Sequence, residues 1–223
     1  RLAWAELADW SSLATGAERR AAALQAQGPS EKDYLERGVR PVLAIAYARL
    51  GRLEEARAVA ATLPVDCEPR LDARGWVAAL SGDPAGADRW FALLDRMAPD
   101  LPFYDRDWGE VLLARGEVDH AIAKLSQAHV KGPRFADPME LWGEALMAKR
   151  NYPGAVAKFA DADKDAPRWG RNHLVWGEAL MLLGRYAKSR AQYLAANDMD
   201  LSGPDRAALK VLLARTSSGP LHG

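Results

Sequence analysis

Between Leu141 and Ala166 the apolar residues fall three and four positions apart in two blocks. That is the period of a helix with one buried face. Leu141, Trp142, Ala145 and Leu146 mark the first block; Ala155, Val156, Phe159, Ala160 and Ala162 mark the second. The polar stretch Arg150-Asn151-Tyr152-Pro153 separates them and reads as a turn. Pro153 fits the first turn of the second helix, where its missing N–H has no intrahelical partner to lose. Pro167 then stops that helix. The pattern predicts helix, short turn, helix, short turn.

The same pattern recurs. Trp108-Gly109-Glu110, Trp142-Gly143-Glu144 and Trp176-Gly177-Glu178 repeat one triplet at a spacing of 34 residues. A fixed period of this length marks a supersecondary unit stacked on copies of itself. Gly143 and Ala155 are expected where the two helices of a hairpin cross, because only a minimal side chain lets the axes approach to about 8–10 Å. Leu146 and Phe159 are the large side chains expected to fill the space beside them, and Ala162 the small one that lets the next hairpin dock.

In order, the middle copy supplies Trp142, Gly143, Leu146, Ala155, Phe159, Ala162 and Pro167. The following copy supplies Trp176, Gly177, Leu180, Ser189, Tyr193 and Ala196, and the preceding one Trp108, Gly109, Leu112, Ala121, Leu125, Ala128 and Pro133. Gly75, Ala78, Gly82, Ala87, Phe91, Leu94 and Pro99 form an earlier copy; Leu43, Ala44, Tyr47, Gly51, Ala56, Ala60 and Leu63 form the first. This spacing resembles the tetratricopeptide repeat (TPR). The resemblance implies an all-α fold, a right-handed α-solenoid of stacked antiparallel helix hairpins. It departs from the family in one respect: Trp stands where the first helix usually carries Leu, and the family's own Trp position holds Asp105, Met139 and His173.

Three segments are expected: an atypical helical stretch over 1–29, a five-unit array over 30–203, and a capping helix with a frayed tail over 204–223. In the first, Trp4, Leu7, Trp10 and Leu13 lie on one stripe. Ser30 and Asp33 read as a capped helix start, and Pro41 should kink or divide the helix that follows. Pro204 opens the capping helix, which runs to about Arg215. The helix-B alanine position runs Ala56, Ala87, Ala121, Ala155, Ser189, with a first interval of 31 rather than 34. The shortening is expected in a turn.

Charge adds a restriction. With 30 basic and 30 acidic residues the formal net charge is zero, which argues against direct nucleic-acid binding. No apolar run approaches the ~20 residues of a membrane span. The single cysteine, Cys67, excludes an internal disulfide and points to a reducing, cytoplasmic setting. Composition rich in Ala, Arg, Gly and Trp suggests a GC-rich bacterial source, and a start at Arg1 suggests a fragment.

No catalytic, metal or cofactor pattern emerges, so the expectation is a non-enzyme. His120, His129 and His173 lack ligand spacing and read as ordinary surface histidines; Cys67 lacks a marked histidine partner. Trp108, Trp142 and Trp176 are expected in the core, with Trp90 and Trp169 freer. The resemblance places the first helix of each hairpin on the concave groove. Glu110, Glu144 and Glu178 then form an acidic row with neighbours about 10 Å apart. Leu113, Met147 and Met181 form an apolar strip beside it, with Trp76 at one end. Arg106, four residues before Glu110, is placed to pair with it. Glu144 has Glu140 at that spacing, and Glu178 has only Leu174 and Leu182, so a base for either must come from another helix. The family's clamp for C-terminal carboxylates needs Lys and Asn where this chain has Glu. The expected partner is therefore a basic or amphipathic peptide or helix of another protein. A regulatory segment of a larger bacterial protein, carrying a winged-helix or cyclase domain, and a self-assembling homo-oligomer are the alternatives. Simple duplication of a helix-forming Glu accounts for the row equally well.

Overall fold

The computed structural model of the chain describes residues 9–27 and 34–217. Trp4, Leu7, the Ser30 and Asp33 start signal and residues 218–223 of the tail lie outside them. The described residues form 12 α-helices and no strand. They are α1 (Trp10–Gln27), α2 (Arg40–Arg49), α3 (Leu53–Thr62), α4 (Glu68–Leu80), α5 (Pro84–Met97), α6 (Pro102–Ala114), α7 (Val118–Lys131), α8 (Asp137–Ala148), α9 (Tyr152–Asp165), α10 (Gly170–Leu182), α11 (Tyr186–Asn197) and α12 (Gly203–Ser217). From α2 to α11 they pair as first and second helices of five hairpins. The fold is an all-α helical repeat of TPR type.

Every hairpin turn is built the same way. The first helix ends on a residue with positive φ: Gly51, Gly82, Gly116, Arg150 or Gly184. The next residue donates its N–H back to a carbonyl five positions earlier, as in Arg52 to Tyr47, Asn151 to Leu146 and Arg185 to Leu180, each at 2.9 Å. This closure satisfies carbonyls that the helix end would orphan. Glycine meets the left-handed requirement at no steric cost; Arg150 meets it at φ 58 with a side chain in place. The second helix starts at once. Asp83 and Asn151 cap it by accepting the Gly86 and Gly154 N–H groups at 2.8 and 3.1 Å.

Four of the five hairpins, all but α2–α3, close on a glycine facing a large residue. A Cβ placed on Gly75, Gly109, Gly143 or Gly177 would stand under 3.0 Å from Phe91, Leu125, Phe159 or Tyr193, respectively. Those four large side chains are fully buried, and so are Ala56, Ala87, Ala121, Ala155 and Ser189 one turn earlier. Burying a Phe or Leu side chain stabilises by roughly 1.5–3 kcal/mol, so this seam is a main source of cohesion. Ser189 keeps the pattern because its hydroxyl donates to the Gly177 carbonyl at 2.7 Å.

The short first interval does not lie in a turn. α3 has 10 residues, whereas α5, α7 and α9 have 14 each. The missing turn is the last turn of a second helix, and the hairpin turn before it keeps its geometry.

The chain groups into two compact units, one ending at Tyr104 and the other beginning at Asp105. In the first, α1 packs on α2 and on a π-helical turn over Leu35–Val39, through Leu24, Leu35 and Val39. The Arg40 N–H reaches back to the Leu35 carbonyl. Pro41 then sits in the first turn of α2, so the division it imposes appears as a π turn running into an α-helix. In the second unit, α12 brings Leu209 and Leu212 against Leu174, Tyr193 and Ala196. It runs two residues past the expected Arg215, and the Thr216 hydroxyl bonds the Leu212 carbonyl at 3.1 Å.

Candidate functional site

The second unit carries two clusters of charge on its first helices. Arg106 on α6 is buried, at 1% exposure. It pairs with Asp107 at 3.1 Å, with Glu110 one turn on, and with Asp137 of α8 at 3.9 Å. Burial pushes the Asp137 carboxyl up and Arg106 pulls it back. Glu110 is thus committed to a base on its own helix.

The second cluster is larger and more open. Arg171, in the first turn of α10, reaches three carboxylates with three nitrogens. Nε stands 3.2 Å from Glu140, Nη2 2.5 Å from Glu144 and Nη1 3.2 Å from Asp205 of α12. Asp205 is itself fixed, because its other oxygen accepts the Ser202 hydroxyl at 2.7 Å and its N–H bonds that hydroxyl at 3.1 Å. Glu178 stands beside them, and its carboxyl is raised above the ordinary value. Burial is the main cause, with Glu144 adding to it, Arg171 opposing it and Asp205 adding again. Glu144, Glu178, Arg171 and Asp205 line a recess of about 370 Å³ with Met147, Leu174, Val175 and Ala208. With Glu140 behind Arg171, four carboxylates surround one guanidinium.

The expected site residues therefore divide. Glu144, Glu178 and Met147 come together around the recess. Arg106 and Glu110 belong to the neighbouring cluster. Glu140 is completely buried and serves as the inner anchor of Arg171, so it offers a partner no surface. Met181 packs into the core that α12 closes, and the Tyr193 hydroxyl meets its sulfur at 4.0 Å; it is not part of an open strip. Leu113 is half-buried. Trp76 belongs to the first unit and is 2% exposed. Its ring is covered by the Arg49 guanidinium at 4.2 Å and met edge-on by Phe91, so it does not present a face to a groove.

Sequence reasoning missed Arg171 and Asp205. Asp137, Arg171 and Asp205 are spaced 34 apart and occupy the first turns of α8, α10 and α12. Signs alternate along that register, and reading it would have located the base that Glu144 requires. Other side chains also differ from expectation. Trp108, Trp142 and Trp176 are half-buried, with the Lys124 and Lys158 ammonium groups over Trp108 and Trp142 at 4.1 and 3.9 Å. His173 is buried, not on the surface. Its Nδ1 pairs with Gln192 at 2.7 Å and its Nε2 faces Asp163 at 3.2 Å. Among the described residues no group of His, Cys, Asp and Glu is arranged to hold a metal, and no helix is long and apolar enough to cross a membrane.

No protein-family model matches the sequence, and no curated protein matches it. Solved structures do. Yeast Tom70 superposes with a TM-score of 0.71 at 12% identity, over 83% of this chain. This chain spans only 40% of that one. TTC0263, a thermophilic TPR protein of Thermus thermophilus, gives 0.65 at 18% identity, over 80% of this chain and 97% of its own. Pseudomonas aeruginosa pilF gives 0.63 at 15% identity, over 83% and 94%. The recess-bearing helices are therefore those of a TPR-type helical repeat, the fold this chain shares with these three proteins.

Proposed function

We propose that the chain is a protein-interaction scaffold and that its second unit binds a basic segment of a partner protein through the acidic recess. The carrying observation is the charge imbalance around Arg171. Glu140 and Glu144 both face that one guanidinium, as does Asp205, and Glu178 stands beside them with no ion pair among the described residues. A cation entering the recess offsets the burial, and the repulsion from Glu144 and Asp205, that raise Glu178. The walls suit the same guest: Met147, Leu174 and Val175 can take the aliphatic stem of Lys or Arg while the carboxylates take its head.

Selection from a random peptide display library tests this reading. Purified chain should enrich sequences bearing Lys or Arg next to apolar residues. The Glu144→Gln/Glu178→Gln variant should lose that enrichment. Enrichment unchanged in the variant, or enrichment of acidic sequences on this unit, would overturn it.

A further inference from the structure

The first unit holds a second recess, of opposite character, on the side built by second helices. It is about 250 Å³ and lies between α3, α4 and α5. Arg57, Arg74, Ser81, Asp83 and Trp90 carry its polar and aromatic chemistry, with Val77 and alanines as its floor.

Arg74 is the informative side chain. One of its nitrogens, Nη2, donates to the Leu63 carbonyl at 2.5 Å and to that of Ala61 at 3.4 Å. These carbonyls stand at the C-terminal end of α3, where a cation is favourably placed. That brace leaves Nε, which is buried and without a partner, and Nη1. No carboxylate pairs with Arg74 among the described residues. Burial alone acts on it, pulling it below the ordinary guanidinium value. A half-buried cation with no carboxylate beside it favours an anion. The plane of Arg74 also lies over the Trp90 ring at 5.2 Å, with Arg89 5.9 Å from the same ring.

The rest of the wall agrees. Arg57 stands across the recess, its Nη2 on the Ser81 carbonyl at 3.3 Å and its Nη1 paired with the well-exposed Glu54 of the same helix, a pair that an entering anion would compete with. The Ser81 hydroxyl is buried without a hydrogen-bond partner. Asp83, the acidic group on this wall, is turned to the Gly86 N–H, which one of its oxygens accepts at 2.8 Å.

We propose that this recess is a second binding site, in which Arg74, Arg57 and the Ser81 hydroxyl hold an oxyanion carried by a peptide, either a carboxylate or a phosphoryl group, with the Trp90 ring backing the Arg74 guanidinium. Both accept single charge-assisted hydrogen bonds from donors on separate side chains, here Arg74 Nε or Nη1, Arg57 and the Ser81 hydroxyl. The proposal is independent of the acidic recess and involves none of its residues.

The test is an NMR titration of the whole chain at constant ionic strength. The probes are acetate and inorganic phosphate, with chloride as control. The Trp90 indole N–H and the Arg74 Nε–Hε signals should shift saturably with one or both oxyanions and not with chloride. A response to acetate alone identifies the guest as a carboxylate; a much stronger one to phosphate identifies a phosphoryl group. Arg57→Gln, which leaves the brace on α3 intact, should weaken binding by at least about tenfold. Arg74→Gln should abolish it, with circular dichroism reporting that the helices persist. Shifts that stay linear and match chloride, or that survive unchanged in Arg57→Gln, would overturn the proposal.

Discussion

Gly143 and Phe159 define the closest approach within the α8–α9 hairpin: the Phe159 ring occupies the place where a Cβ on residue 143 would stand. Both sites are buried, and the aromatic ring has no exposed side to retreat to. Gly143→Ala should therefore destabilise despite the better helix propensity of Ala, by about 1–3 kcal/mol, as for other overpacked cores. Urea unfolding measures it. Adding Phe159→Leu should recover part of the loss, so that the two changes combine to less than their sum.

Arg150 offers the opposite case. It holds a left-handed conformation that glycine holds at four equivalent turns. Arg150→Gly removes that strain at a smaller cost in chain entropy, for a gain of up to about 1 kcal/mol. The thermal midpoint should rise by about 2–4 °C for a chain of this size. A lowered midpoint would mean that the Arg150 side chain contributes a contact worth more than the strain.

These two positions also show what a reader of the sequence can and cannot see. The Gly143 and Phe159 pairing follows from residue size and a fixed register, both linear properties of the chain, and so it is legible. Arg150 disappears into a polar turn because nothing in its chemistry announces a positive φ. The recess lies further out of reach. Glu144 and Glu178 are visible as a repeated triplet, but Arg171 and Asp205 join them across three helices. Their 34-residue spacing with Asp137 marks them as equivalent positions, but only the packing of the helices shows that they meet Glu144. Trp76 departs from expectation for the converse reason. Its register places it correctly on a first helix, but register does not reveal that Arg49 covers its ring.

Arg171 is the keystone of the acidic recess and 26% exposed, whereas its inner partner Glu140 is fully buried. Arg171→Gln would remove the guanidinium that faces that carboxylate at 3.2 Å. The expected cost is about 3 kcal/mol, the low end for breaking a buried pair, because part of Arg171 is hydrated already. Adding Glu140→Gln should restore most of it. If Arg171→Gln alone is neutral in urea unfolding, Glu140 draws its compensation from elsewhere.

The pH dependence of stability follows from Glu178. Its carboxyl is raised above 4.5 in the folded chain, so the fold binds a proton more readily than the unfolded chain does. Its stabilising contribution is present below about pH 4.5 and is lost as pH rises through the folded value. Glu178→Gln should remove that decline and leave the variant the more stable at neutral pH. Urea midpoints of both proteins, taken at several pH values from about 4 to 8, read this directly. A cation in the recess favours ionised Glu178, so its binding should strengthen as pH rises over the same interval.

In the proposed complex the recess around Arg171 takes the cationic side chain of a partner. Isothermal titration with a display-selected, Lys-bearing peptide tests it most directly, using the parent chain, Glu144→Gln/Glu178→Gln and, as a control on the neighbouring cluster, Glu110→Gln. The double variant should bind at least about tenfold more weakly, Glu110→Gln should change little, and added salt should weaken binding by the parent. Equal affinity for the parent and the double variant would contradict it.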